Sequence, residues 1–128
     1  MSDSRQTVVF ADDYLPMLQA AYALLQPTYN IIKLASSGEE AVLWIMKLRP
    51  DFAVLDICMP DINGFAAART LNQAGANTRI LFLGEIEDED YVREARLLAY
   101  GYVLKRRLAC DLVPALVSAN VGSFFLSQ

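Results

Sequence analysis

Short apolar runs rich in β-branched and aromatic residues alternate along this chain with longer stretches of helical periodicity. Five runs read as strands: 7–11, 29–34, 52–55, 79–83 and 102–104. They are apolar almost throughout, as strands covered on both faces must be. Five helical segments lie between and after them. The first, 15–26, ends at Pro27, because a proline ring cannot continue a helix. The second begins at Ser37, whose hydroxyl can cap it while Glu40 reaches back from three residues on, and Leu43, Ile45 and Met46 supply its buried face. The third, 63–74, stops at Gly75, and the fourth begins within Glu87-Asp88-Glu89-Asp90, where acidic groups suit the positive end of the helix dipole. The fifth runs from about Asp111, which puts Pro114 in a first turn that needs no amide hydrogen there. This alternation predicts repeated βαβ units: an α/β fold with a five-stranded parallel sheet and five helices. Gly122-Ser123 ends the last helix and leaves Phe124-Phe125-Leu126 as an apolar tail.

Composition narrows the chemistry. At 128 residues the chain is one domain's worth, able to bury roughly two-thirds of its unfolded surface. A net charge of -4 gives no global basic surface for nucleic acid. With no histidine, Ser-His-Asp and Cys-His nucleophile pairs and most zinc sites are excluded. Carboxylates, lysines and hydroxyls are what remain. Cys58 and Cys110 have no metal-binding spacing and read as buried thiols, which fits a reducing cytoplasm. The N-terminus is polar, and no apolar run approaches the ~18 residues of a spanning helix, so neither a signal peptide nor a membrane partner is expected.

In an open α/β sheet the ligand crevice lies beyond the carboxyl ends of the strands. Asp12 and Asp13 follow the first strand, Asp56 closes the third and Lys105 follows the fifth. Two unit charges about 4 Å apart repel by roughly 4 kcal/mol at an effective dielectric near 20, so clustered carboxylates need a cation or protons. An oxygen-only cluster suits Mg²⁺. A carboxylate can then act as a phosphoryl-accepting nucleophile, with a lysine neutralising the transferred charge. Taken singly, Asp-Asp at a strand end also reads as a helix cap and a lone Asp as a turn former; together with Lys105 they favour a site.

The stretch Leu55-Asp56-Ile57-Cys58-Met59-Pro60-Asp61-Ile62-Asn63-Gly64, with Ala11-Asp12-Asp13 and Gly101-Tyr102-Val103-Leu104-Lys105, resembles the motifs of response-regulator receiver domains, above all the N-terminal receivers of NarL/LuxR-type transcription regulators. That resemblance implies a flavodoxin-like doubly wound sheet in the order 2-1-3-4-5. It implies Asp56 as phosphoacceptor, fed by a histidine kinase or phosphotransfer protein. The Mg²⁺ ligands would be Asp13, Asp56 and the backbone carbonyl of Cys58, with Asp12 acting through water. Lys105 would be the lysine of the last-strand motif and Tyr102 the switch aromatic. Such a domain is not an enzyme beyond its own phosphotransfer and dephosphorylation.

One departure stands out. The fourth strand ends Leu83-Gly84-Glu85, whereas the family pattern has Thr or Ser at the position of Gly84. There the hydroxyl bonds the phosphoryl group and the aromatic follows it inward, so Gly84 predicts a weakened switch. Glu85 would oppose phosphorylation if it faces the site. Arg106 replaces a usual proline, and Arg106-Arg107 reads as a solvated pair. The resemblance also divides the chain into a receiver domain at 1–121 and, at 122–128, the start of a linker toward a helix-turn-helix output domain through which alone DNA would be met. Docking of the tail on the last helix is the alternative. It implies a homodimer face on the fourth helix, fifth strand and fifth helix, around 91–107. A second functional reading, prompted by Gly84-Glu85, is a degenerate receiver serving as a phosphorylation-independent interaction module.

Overall fold

The computed structural model describes residues 3–128. In chain order its elements are β1 (Thr7–Ala11), α1 (Leu15–Leu25), β2 (Asn30–Ala35), α2 (Gly38–Leu48), β3 (Phe52–Asp56), α3 (Gly64–Gln73), β4 (Arg79–Gly84), α4 (Glu89–Leu98), β5 (Gly101–Leu104), α5 (Leu108–Asn120) and β6 (Phe125–Leu126). All paired strands are parallel, in the order β2-β1-β3-β4-β5-β6. The expected order thus holds and a sixth strand extends it. Strand side chains alternate between two cores. Val9, Ala53, Leu55, Ile80 and Phe82 pack toward α2, α3 and α4, while Phe10, Val54, Leu81, Leu83 and Val103 pack toward α1 and α5. Covering both faces is what makes every residue of β3 buried.

Helix starts follow local chemistry. The Ser37 hydroxyl accepts from the Glu40 amide, although the Glu40 carboxylate reaches back to Ser36 rather than to Ser37. Asn63 caps α3 through the Ala66 amide, and Asp88 caps α4 through the amides of Asp90 and Tyr91. Gly75 closes α3 at φ 76, a left-handed conformation that glycine adopts without a Cβ penalty.

Several expectations are corrected. On α2 Ile45 is buried with Gly38 and Ala41, and Met46 packs partly buried against the same core, but Leu43 is exposed, because two residues from Ala41 and from Ile45 it falls on the opposite side of the helix. A 3-10 turn, Lys105–Arg107, leads into α5, which starts at Leu108, so Pro114 lies inside the helix rather than in its first turn. Its missing amide hydrogen leaves one helical carbonyl without its partner. Cys58 and Cys110 are both exposed and unpaired, not buried. The tail lies not on α5 alone but along the outer edge of β5. The Phe125 amide donates to the Tyr100 carbonyl and the Ser127 amide to the Tyr102 carbonyl, at 3.1 and 3.0 Å. The Ser127 hydroxyl donates to buried Asp111 at 2.6 Å, and the Arg96 guanidinium lies 4.4 Å from the Phe124 ring centroid. Residues assigned to a linker therefore complete the sheet edge.

Candidate functional site

The carboxyl ends of β1 and β3 converge because the two strands are neighbours, with Ala11 opposite Leu55 in register, and β5, beyond β4, ends on the same side because all the strands are parallel. Asp12 then leaves the strand fully buried, its backbone held by a bond from its amide to the Ala35 carbonyl and its Oδ1 accepting from the Tyr14 amide. Asp56, equally buried at the end of β3, accepts from the Cys58 amide through Oδ1 at 3.1 Å. Asp13 stands exposed at the mouth. Carboxylate oxygens of Asp12, Asp13 and Asp56 all lie within 4.8 Å of one another.

Lys105 enters from the end of β5. Its Nζ is 3.1 Å from Oδ2 of Asp12 and 3.1 Å from Oδ2 of Asp56, and its side chain is largely buried. Neither Oδ2 receives a well-directed hydrogen bond, so both are charge-paired but short of donors. Burial and the neighbouring Asp12 charge raise the Asp56 carboxyl to about 6, against the pull of Lys105 and the Cys58 amide. Burial draws the Lys105 ammonium down, but its close pairing with Asp56 and Asp12 outweighs that and leaves it raised. Two under-coordinated buried oxygens beside a third, exposed carboxylate form an all-oxygen donor set with room for water. This set fits Mg²⁺.

An open cleft of about 610 Å³ lies over the cluster, lined by Asp13, Tyr14, Met17, Asp56, Cys58, Glu85, Lys105 and Arg106. Glu85 stands on its rim, exposed, with Oε1 4.0 Å from Lys105 Nζ. Arg106 is drawn away by an exposed ion pair with Glu87 at 2.8 Å, and Arg107 pairs with Asp111. A smaller cavity at the opposite end of the sheet, about 310 Å³, has several of its polar groups paired with one another or with backbone: Asp51 accepts from Thr7, Gln6 donates to Asn120 and Arg79 to the Ala119 carbonyl.

The loop after β3 is pinned from its far side. Asp61 accepts from the amides of Glu39 and Gly38 at the start of α2, and the Glu39 bond is the largest cause of its carboxyl falling to about 2. Sequence reasoning took Asp61 only as part of a motif. It signalled neither this tie nor the Ile86 carbonyl, a backbone acceptor for the Tyr102 hydroxyl at 2.6 Å. Burial is the main cause that pushes the Tyr102 phenol up to about 12, so it stays a donor at neutral pH.

The sequence model of the response regulator receiver domain matches residues 8–116. This chain belongs to that family. The receiver is 32% identical over 126 residues to the nitrate/nitrite response regulator protein NarL of Escherichia coli K12, covering 95% of this chain and 58% of that protein. It is 30% identical over 128 residues to the transcriptional regulatory protein DegU of Brevibacillus brevis, covering 97% and 54%. The signal receiver domain of a NarL response regulator from Mycobacterium tuberculosis superposes with a TM-score of 0.88 at 25% identity, over 94% of this chain and 99% of that one. The receiver spans little more than half the length of the curated relatives it matches.

Proposed function

We propose that the receiver takes a phosphoryl group on Asp56 from a histidine kinase or phosphotransfer protein and passes the change to an output that regulates transcription. The observation that carries this reading is one buried carboxylate, Asp56, sharing a lysine with a second, Asp12, beneath an open cleft. At neutral pH a carboxyl titrating near 6 is mostly ionised, so Oδ2 is available as the nucleophile. It attacks phosphorus in line, the bond to the donor's leaving group breaks, and an acyl phosphate forms on Asp56. Lys105 follows the negative charge from the carboxylate to the phosphoryl oxygens. Asp13, Asp56 and the Cys58 carbonyl would hold Mg²⁺, with Asp12 acting through water. Bound there, the metal supplies positive charge to the phosphoryl oxygens. Glu85 faces the site from the rim, with Oε1 4.0 Å from Lys105 Nζ, and competes with the incoming phosphoryl group for that ammonium, a penalty that its exposure to solvent reduces. No activity beyond the domain's own phosphotransfer and dephosphorylation is proposed, and the interaction-module alternative is not favoured.

The receiver body would comprise 1–121 with the β6 edge strand attached, and the hand-over to a helix-turn-helix output domain, the only DNA-contacting part, would follow β6. A homodimer through α4, β5 and α5 would meet β6 on the same face. A cytoplasmic location fits the donor class, and among the described residues no helix is long and apolar enough to cross a membrane.

The test is intact mass spectrometry after incubation with Mg²⁺ and acetyl phosphate. The chain is expected to gain one acid-labile phosphoryl group, and Asp56→Asn none. No gain by the unaltered chain under saturating donor and metal would sink the reading.

A further inference from the structure

Glycine at position 84 is not required by its own backbone. Among the described residues only Gly75 and Gly122 are glycines at positive φ, so the conformation of Gly84 is open to any L-residue. What requires it is space. A Cβ built on Gly84 would overlap the Tyr102 hydroxyl outright and lie 2.6 Å from the ring's Cζ. Phe82 is paired with Tyr102 and Gly84 with Leu104 in register, which brings the Tyr102 side chain to the end of β4, where its ring lies against Gly84. Tyr102 is fully buried, and its hydroxyl is anchored on the Ile86 carbonyl. The ring thus fills the volume that a side chain at 84 would occupy.

With the ring packed against Gly84, a cleft of about 440 Å³ stays open between the first turn of α4 and the C-terminal strand, lined by Glu87, Asp88, Val92, Tyr102, Leu126 and Ser127. The ring has somewhere to go if it is expelled, and the wall it would meet is the tail. Leu126 sits opposite Tyr102 in register, and the Ser127 amide is bonded to the Tyr102 carbonyl. The position of the ring and the docking of the tail are therefore set by the same residue.

We propose that Gly84 and Tyr102 form a size-matched pair that holds the ring buried in the unphosphorylated chain, and that this fixes the α4–β5 face in the shape on which segment 124–127 is the resident occupant. Phosphorylation then has no inward movement of the ring left to drive, and control of this face passes to the tail. The pairing itself does not depend on Asp56. Only the consequence for the phosphorylated state rests on the proposed function.

A double-mutant cycle decides the pairing. Overpacking a filled site is costly, so Gly84→Ala is expected to lower the folding equilibrium constant by about tenfold or more in the native background. In the Tyr102→Ala background, where the ring is gone, the same change is expected to cost less than about twofold. Nuclear magnetic resonance on Gly84→Ala should show the Tyr102 ring losing contact with Ile86 and the amides of 124–127 shifting. Equal penalties in the two backgrounds, or a solvent-exposed Tyr102 ring in the unaltered chain, would overturn the pairing. Adding Mg²⁺ and beryllofluoride, with loading followed by its own fluorine signal, separates the two proposals. Loading without movement of the Tyr102 ring supports the fixed face, and loading with movement overturns it. Failure to load counts against Asp56 as acceptor, and the pair then stands or falls on the double-mutant cycle alone.

Discussion

Lys105→Met is expected to slow phosphorylation of Asp56 by about 10²- to 10³-fold, the range seen when one preorganised charge-stabilising group is removed from a buried site. The same change should destabilise the fold at neutral pH. Lys105 is the only cation within ion-pair distance of the buried carboxylates of Asp12 and Asp56 among the described residues, 3.1 Å from each. Removing one side of a buried ion pair costs about 3–5 kcal/mol because the charges left behind are unpaired. The pH dependence distinguishes this cause from lost packing. Asp56 titrates near 6 rather than at its ordinary 3.8, so its contribution to stability is fully present below about 4 and is lost as pH rises through 6. Without Lys105, which lowers the Asp56 value, that loss extends to higher pH. Urea unfolding in metal-free buffer should therefore show Lys105→Met much weaker than the unaltered chain at pH 7.5 and close to it at pH 5, with added Mg²⁺ recovering part of the difference. An equal deficit at both pH values would mean that packing, not charge, is what Lys105 contributes.

Phe82→Ala is expected to cost about 3–5 kcal/mol, a large share of the stability of a domain this size. Phe82 is fully buried at the centre of β4 and meets the Phe65 ring edge-on at 4.8 Å, while Phe65 meets Tyr91 at 5.7 Å. This column ties the sheet to α3 and α4, the helices that follow the Asp56 loop and the Glu85 rim. Truncation leaves a cavity whose walls belong to three elements and cannot close together. The midpoint of thermal unfolding should fall by on the order of 10–20 °C. Leu97→Ala, on the exposed face of α4, should stay within about 0.5 kcal/mol of the unaltered chain.

The sheet was legible because strands buried on both faces must be continuously apolar, and 52–55 and 80–83 carry that signature without ambiguity. The placement of Asp12, Asp56 and Lys105 was legible for a related reason: each follows a strand directly, and parallel strands deliver their carboxyl ends to one side. What the residues could not convey was whatever depends on backbone partners or on tertiary space. Phe125–Leu126 is a strand through bonds from the Phe125 and Ser127 amides to the carbonyls of Tyr100 and Tyr102, and two apolar residues carry no periodicity from which to read it. Leu43 has the hydropathy of a core residue but faces solvent, two residues from both Ala41 and Ile45 and so on the opposite side of the helix. Gly84 reads as a missing hydroxyl in sequence, while in the fold it is the space that the Tyr102 ring requires.

Locating the phosphoryl group tests the central claim most directly. The chain would be phosphorylated with acetyl phosphate and Mg²⁺, reduced with borohydride, which converts an aspartyl phosphate to homoserine, and mapped by peptide mass spectrometry. The expected result is homoserine at position 56 and at no other aspartate. Modification at Asp12 or Asp13 with position 56 intact would contradict the account.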